Sequence, residues 1–279
     1  MNYCFPSYAK LDKFLLLITF IVYLLASNYV LSSEDTCLVN RNNFNKAPLE
    51  IIKNQRSHNL FVFSNSINSQ HDVFRKWFSD ESLSLILNLD KVISAQHFQQ
   101  HELDIFGTSP IGDRFLGIYE LSLDGAEQAV QVIDRIKTIY NDSKVSSEPA
   151  TWIYYPMSEK AGRSPQTKKQ HIILAFSDPV KGAEASYNEW YNTQHIRHAL
   201  NVSSIVSGQR FRLTSFQKPG AMKPSYEYLS YYEQEGSIED LTNGFKSLQP
   251  GQLDLSPAID MNFTEWVYFP VTDRPLLMN

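Results

Sequence analysis

Residues 77–98 read WFSDESLSLILNLDKVISAQHF, and residues 190–211 read WYNTQHIRHALNVSSIVSGQRF. The two stretches align without gaps at a shift of 113, the distance from Trp77 to Trp190. At the same shift Phe63-Ser64 falls on Phe176-Ser177, and Phe115-Leu116 with Tyr119-Glu120 falls on Tyr228-Leu229 with Tyr232-Glu233. One residue more brings WIYYP (152–156) onto WVYFP (266–270). Separated matches in one register identify an internal repeat, in which one supersecondary unit is written twice.

Working outward, each copy reads as strand, helix, strand, strand, helix, strand. Residues 59–63 and 171–176 are short apolar runs suited to strands buried on both faces. Residues 69–89 and 182–201 carry helical spacing, which in the second copy sets Tyr187, Trp190, Tyr191, Gln194, His195 and His198 on one side. The alternating, β-branched and aromatic stretches 92–100, 205–215, 114–121 and 226–234 predict neighbouring antiparallel strands. A helix is expected at 125–140 and again at 238–248, and a Trp-containing strand closes each copy before proline. Between the copies SEKAGRSPQTKKQ, residues 158–170, has the composition of a linker. The expected modules are therefore 59–157 and 171–279. A four-stranded sheet with helices on one face needs cover on the other, which a second copy supplies by packing sheet on sheet.

Ahead of the repeat, FLLLITFIVYLLA (14–26) follows Lys10 and Lys13 and precedes Ser32, Ser33, Glu34 and Asp35. This reads as a signal peptide over residues 1–33, with 34–58 as a leader-proximal segment. Extended to Leu31 the apolar stretch is near the lower limit of about 17 residues for a spanning helix, so a signal anchor is the other reading. Either one predicts export through the secretory pathway, secreted or periplasmic or held by one N-terminal span. Cys4 and Cys37 are the only cysteines, so the repeat has no thiolate for a disulfide or metal site. Sequons at Asn141, Asn201 and Asn262 mark sites open to glycosylation in a eukaryote.

Net charge is −5 with both signs interspersed, and no basic block runs along the chain, which disfavours nucleic acid. Gly-rich phosphate loops, Gly-x-Ser-x-Gly and His-Glu-x-x-His are absent, which disfavours nucleotide, α/β-hydrolase and zinc-protease chemistry.

The stretch from Glu189 to Ile196, EWYNTQHI, followed by VSGQRFR from Val206 to Arg212, resembles the EthD-like group of the dimeric α/β-barrel superfamily. That group often carries Trp-Tyr-x-x-x-His on its first helix, and Arg with an aromatic on its next strand. The resemblance spans residues 59–273. It implies an α+β fold, with two ferredoxin-like βαββαβ modules forming an intrachain dimeric α/β barrel behind an N-terminal hydrophobic helix. It also implies a cavity beside the first helix and a range of activities, from monooxygenase and haem enzyme to dehydratase and cyclase.

The copies differ where chemistry would lie: Ser82 stands for His195, Leu85 for His198 and His97 for Arg210. The second copy is therefore the expected site. His195 is the candidate acid/base, against the competing reading of a hydrogen-bonded structural histidine. Tyr228 is a candidate donor to an oxyanion and Arg210 a candidate clamp for a carboxylate or enolate. Tyr187, Trp190, Tyr191, His198, Tyr232, Trp266 and Tyr268 are candidate pocket walls, or plain core. His195 and His198 lack a third ligand in the sequence, so no metal site is expected. The expected function is a cofactor-independent cyclase, dehydratase or isomerase acting on a small apolar, aromatic or polyketide-like molecule. The alternatives are an exported non-catalytic binding protein, or a protein holding haem noncovalently through His195 or His198, of monooxygenase type. A single chain supplying both halves is expected to be monomeric.

Overall fold

The computed structural model describes residues 51–52, 56–67, 70–101, 115–167, 169–218, 226–249 and 251–273. The expected targeting segment, 1–33, and most of 34–58 lie outside them. No helix among the described residues is long and apolar enough to cross a membrane. Leu49–Asn279 forms one compact unit.

Among the described residues ten strands run in chain order as β1 (Ile51–Ile52), β2 (His58–Ser64), β3 (Val92–Gln100), β4 (Phe115–Leu121), β5 (Ala150–Pro156), β6 (Lys160–Gly162), β7 (His171–Ser177), β8 (Ile205–Leu213), β9 (Tyr228–Gln234) and β10 (Thr264–Pro270). In the first half the sheet order is β5-β2-β4-β3, and in the second it is β10-β7-β9-β8. Each half thus has the order fourth, first, third, second. The halves join twice, β3 to β10 and β5 to β8, and with β8 also paired to β9 this closes eight antiparallel strands into a barrel.

Period-two alternation sorts the side chains to the two faces of the barrel wall. Phe61, Phe63, Phe98, Leu116, Trp152, Tyr154, Phe176, Phe211, Tyr231, Trp266 and Tyr268 form one buried cluster that fills the interior. Their rings meet edge-on or tilted, as Phe63 does with Trp152 at 4.6 Å and Phe176 with Trp266 at 4.9 Å. Each such ring contributes about 2–3 kcal/mol by burial. One end of the interior is polar, where Lys160 pairs with Glu233 at 3.1 Å and Arg56 bonds Asn59, Glu120 and Gln209.

The opposite faces of the same strands carry the helices. Helix α1 comprises His71–Lys76, a π-helical turn at Trp77–Glu81 and Ser82–Leu87; α2 is Ala126–Asp142. Helix α3 comprises Glu184–Trp190, a π-helical turn at Tyr191–His195 and Ile196–Ala199; α4 is Ile238–Lys246. The start of α4 is a capping box in which the Ser237 hydroxyl accepts from the Asp240 amide and the Asp240 carboxylate from the Ser237 amide.

Three placements differ from the sequence expectation. The stretch 158–170 contains strand β6, which lies along β8 through Ala161↔Gly208 and Gly162↔Ser207. Gly162 has φ +101, and a Cβ there would lie 2.3 Å from the Val206 carbonyl oxygen, so the close approach needs glycine. In α3 the amide of Ile196 reaches back five residues to the Tyr191 carbonyl. The extra residue in that turn brings His195, Ile196 and Ala199 inward, while Gln194 is exposed and His198 half-buried. Trp266 and Tyr268 belong to the barrel interior, on the other side of the wall from α3.

Candidate functional site

The site is built from the inner face of α3 and the outer face of β7, β8, β9 and β10. Tyr187, Trp190 and Tyr191 are buried there with Tyr228, Ala258 and Ile259. The π-helical turn delivers His195 beside them, 8% exposed, with its ring 4.4 Å from Trp190 and 4.7 Å from Tyr191. Its Nδ1 is buried and has no hydrogen-bond partner. Burial first, then the nearby His198 and Arg210, push the His195 pKa down to about 3. The imidazole is therefore neutral throughout the physiological range.

His195 opens on a cavity of about 20 Å³, which has room for about one water molecule. Ser177, Tyr191 and Glu265 share its lining with His195, and Leu255, Ile259 and Phe263 supply an apolar side. The hydroxyls of Tyr187 and Tyr191 converge on Ser177 Oγ at 2.8 and 3.2 Å. Burial raises the Tyr191 phenol, while hydrogen bonding and the Arg210 charge oppose that rise. Around the cavity, the segment bearing Leu255, Ala258 and Met261 is tied to Val180 by a Val180 amide to Ala258 carbonyl bond of 2.8 Å. Val180, Leu255 and Met261 are all exposed.

Arg210 stands behind this arrangement, 1% exposed and outside the cavity lining. It donates to the side-chain oxygens of Asn192 and Asn188, both at 2.8 Å. Its guanidinium carbon lies 4.4 Å from the Tyr191 ring centre, 5.3 Å from Tyr187 and 5.7 Å from Tyr228. Tyr228 points its hydroxyl to Glu184 at 2.5 Å rather than toward the cavity. Tyr232 is buried with Ile173, Ile196 and Leu241 on the same wall. Of the sequence candidates, then, His195 and Tyr191 line the cavity, Trp190, Tyr187, Arg210 and Tyr228 pack around those two, and Trp266 and Tyr268 lie across the wall.

Ser177, Glu265, Leu255, Ile259 and Phe263 were not among the candidates. Glu265 had a usable signal, because the same alignment sets it against Thr151, one more mismatch between the copies. Leu255 and Ile259 lie in a connection with no counterpart pattern and give none.

The first half handles the equivalent positions differently. Ser82 Oγ donates to the Phe78 carbonyl at 2.9 Å. His97 stacks on Phe78 at 4.0 Å, donates from Nδ1 to the Phe78 carbonyl at 2.6 Å and accepts at Nε2 from the Tyr119 hydroxyl at 3.0 Å. Tyr119 in turn meets Tyr140 at 2.9 Å. Burial, partly opposed by the backbone bond, lowers the His97 pKa to about 4.

A neutral imidazole with a free buried nitrogen has the right form for an iron ligand. The space beside it, about 20 Å³, is far below the roughly 300–1,000 Å³ of ordinary ligand pockets, so haem and an aromatic substrate alike enter only if the wall bearing Leu255 and Phe263 moves. Among the described residues no group of three or more His, Cys, Asp or Glu is placed to hold a metal ion.

No family model and no curated protein matches the chain. Among solved structures, an encapsulated DyP-type peroxidase from Mycobacterium smegmatis superimposes with a TM-score of 0.50 at 10% identity, covering 80% of this chain and 93% of that one. A putative monooxygenase from Fusobacterium nucleatum gives 0.49 at 7% identity, covering 79% and 95%. One from Lactobacillus acidophilus gives 0.48 at 8% identity, covering 78% and 95%. At 10% identity the first of these likenesses shows the fold alone, an α+β barrel closed within one chain.

Proposed function

We propose that this barrel is a small-molecule enzyme whose site is the His195 cavity, and that its chemistry begins with removal of a proton from a small, largely apolar or aromatic substrate. The observation that carries this reading is the neutral, unpartnered Nδ1 of His195, on a residue sharing one cavity with Ser177, Tyr191 and Glu265. A buried polar atom without a partner costs about 1–3 kcal/mol, and on a residue that lines a cavity a substrate group can supply the missing partner.

In this reading the imidazole, held at low basicity by burial in the free protein, takes the substrate proton only as the anion formed beside it raises that basicity, and the electron pair stays on the substrate as a phenolate or enolate. Glu265 favours the imidazolium as it forms, and the Tyr191 and Ser177 hydroxyls donate to the new oxyanion. A cavity this small admits substrate only as the segment carrying Leu255 and Phe263 gives way, and the apolar side chains on that segment suit an apolar body. The anion then either cyclises, dehydrates or isomerises, or gives two electrons to dioxygen, which leaves as hydrogen peroxide; oxygen uptake distinguishes the two outcomes. The chain further reads as a tandem duplication that works as a monomer, exported by its residues 1–33; N-terminal sequencing of the mature protein and its sedimentation check both.

The test is oxygen uptake against a panel of phenols and anthrones. His195→Ala should cut turnover by about 10²–10⁴-fold while the melting temperature stays within a few degrees. Unchanged turnover, or a collapse of stability in its place, sinks the reading and leaves His195 a packing residue. A Soret band that forms with added haem and depends on His195 would replace it with a haem protein.

A further inference from the structure

A guanidinium that is 1% exposed is held here by two neutral amide oxygens and three aromatic rings. Among the described residues it has no carboxylate within ion-pair distance. Burying a charge without a counter-ion costs several kcal/mol, and hydrogen bonds to neutral groups with cation–π contacts offset only part of that. Packing alone does not demand the charge. At the equivalent strand position the first half places His97, neutral and bonded at both nitrogens.

The surroundings change together with the charge. Where the second half has Tyr187, Tyr191 and Tyr228 around Arg210, the first has Phe74, Phe78 and Phe115. Asn188 and Asn192, which hold the guanidinium, replace Arg75 and Ser79. Arg210 is nearest to Tyr191, the one of the three tyrosines that lines the cavity.

We infer that Arg210 is a positioning residue that acts through Tyr191, supplying the counter-charge for a ligand held in the His195 cavity as the anion of a phenol or enol on an apolar body. The inference rests on the cavity being the active site, and it deepens that reading by naming the ligand's form. Arg210 reaches the ligand only by way of the ring it covers. With the cation over its face, the Tyr191 hydroxyl becomes a stronger donor, and it turns from Ser177 to the ligand oxygen. The other titratable groups here are His195 and Glu265 on the cavity, with His198, Tyr187, Tyr228 and Tyr232 packed about it. Glu265 opposes an anion and Arg210 favours one, so the inference requires the buried cation to prevail at the Tyr191 side.

The experiment uses 4-nitrophenol, whose phenolate absorbs visible light, and follows the titration of the bound probe in the intact chain. The expected result is that the wild-type protein makes the bound probe about tenfold more acidic than the free one. Arg210→Met and Tyr191→Phe should each abolish that shift, and Arg210→Lys should keep part of it. Circular dichroism checks that each variant is folded; if Arg210→Met is not, Tyr191→Phe, which leaves the ring over the guanidinium, decides alone. Equal acidity of the bound probe in the wild type and the folded variants overturns the inference, as does an absence of phenolate binding at millimolar probe. His195→Ala separates the two readings, because it should stop turnover while the difference in probe acidity that Arg210→Met makes persists in that background. A shift in a protein that turns over none of the panel would remove the proposed reaction and leave this inference standing.

Discussion

The two halves of the barrel share a strand order and a π-helical turn at nearly the same place, yet they treat the space between first helix and sheet in opposite ways. In the first half it is closed: Phe74, Phe78 and Phe115 pack there, Ser82 bonds back along its own helix, and His97 is bonded at both ring nitrogens. In the second, tyrosines replace the three phenylalanines, a buried arginine replaces the histidine, and His195 retains an unpaired nitrogen beside a cavity. The fold therefore requires a filled helix–sheet layer but not its polarity, which leaves one copy free to hold unsatisfied groups while the other stabilises the barrel.

The strongest way to break that contrast is to write the first half's residue into the second. His195→Ser should lower turnover by about 10²–10⁴-fold with little change in melting temperature, read by oxygen uptake and calorimetry. Comparable activity in that variant would mean that the halves do not divide the labour as stated.

Next in size is the reverse probe. His97→Ala removes a stacked buried ring and leaves the Phe78 carbonyl and Tyr119 hydroxyl short of a partner, so it should destabilise the protein by about 3–5 kcal/mol in chemical denaturation. Turnover per folded molecule should be unaffected. A loss of turnover at full stability would place His97 in the site instead.

The smallest expected effect is on acid stability. His97 and His195 titrate at about 4 and about 3 in the folded protein, against an ordinary value of 6.5. As pH falls below about 6.5 the unfolded chain takes up these protons before the folded one does, so their contribution is complete above 6.5 and is lost as pH falls toward 4 for His97 and toward 3 for His195. Each contributes a slope of about 1.4 kcal/mol per pH unit across that window. Replacing His97 with Gln should reduce the slope by about 1.4 kcal/mol per pH unit between pH 6.5 and about 4; an unchanged slope would show that burial does not hold His97 neutral.

Much of the fold was legible because it is written twice. The expected strand 92–100 coincides with β3, and the other strands and helices of the repeat fall within a few residues of their expected limits. Hydrophobic period and the 113-residue register constrain one another, and a pattern that holds in both copies is hard to misread. Strand β6 was missed because Lys160, Ala161 and Gly162 have no strand pattern of their own; the edge of β8 and the conformational freedom of Gly162 make them one.

The site was legible in part, by the mismatches between copies. His195, Arg210 and Tyr191 came from the sequence, and Glu265 against Thr151 was there to be read. The sequence could not show that Tyr228 turns to Glu184, or that Trp266 and Tyr268 face the barrel interior. A strand's alternation sorts side chains into two faces without saying which face meets which neighbour.

By itself, then, the sequence determined that one pattern of residues recurs at a shift of 113, what elements that pattern predicts and which occurrence carries the unusual residues, because periodicity and internal comparison are properties of the chain. Only the tertiary structure decided that His195 faces inward where an ideal helix would have turned Gln194 and His198 in beside it. It also decided that Arg210 lies behind Tyr191 and outside the cavity. Those outcomes depend on one residue inserted in a π-helical turn and on the packing of α3 against four strands drawn from distant parts of the chain, and no local pattern encodes either.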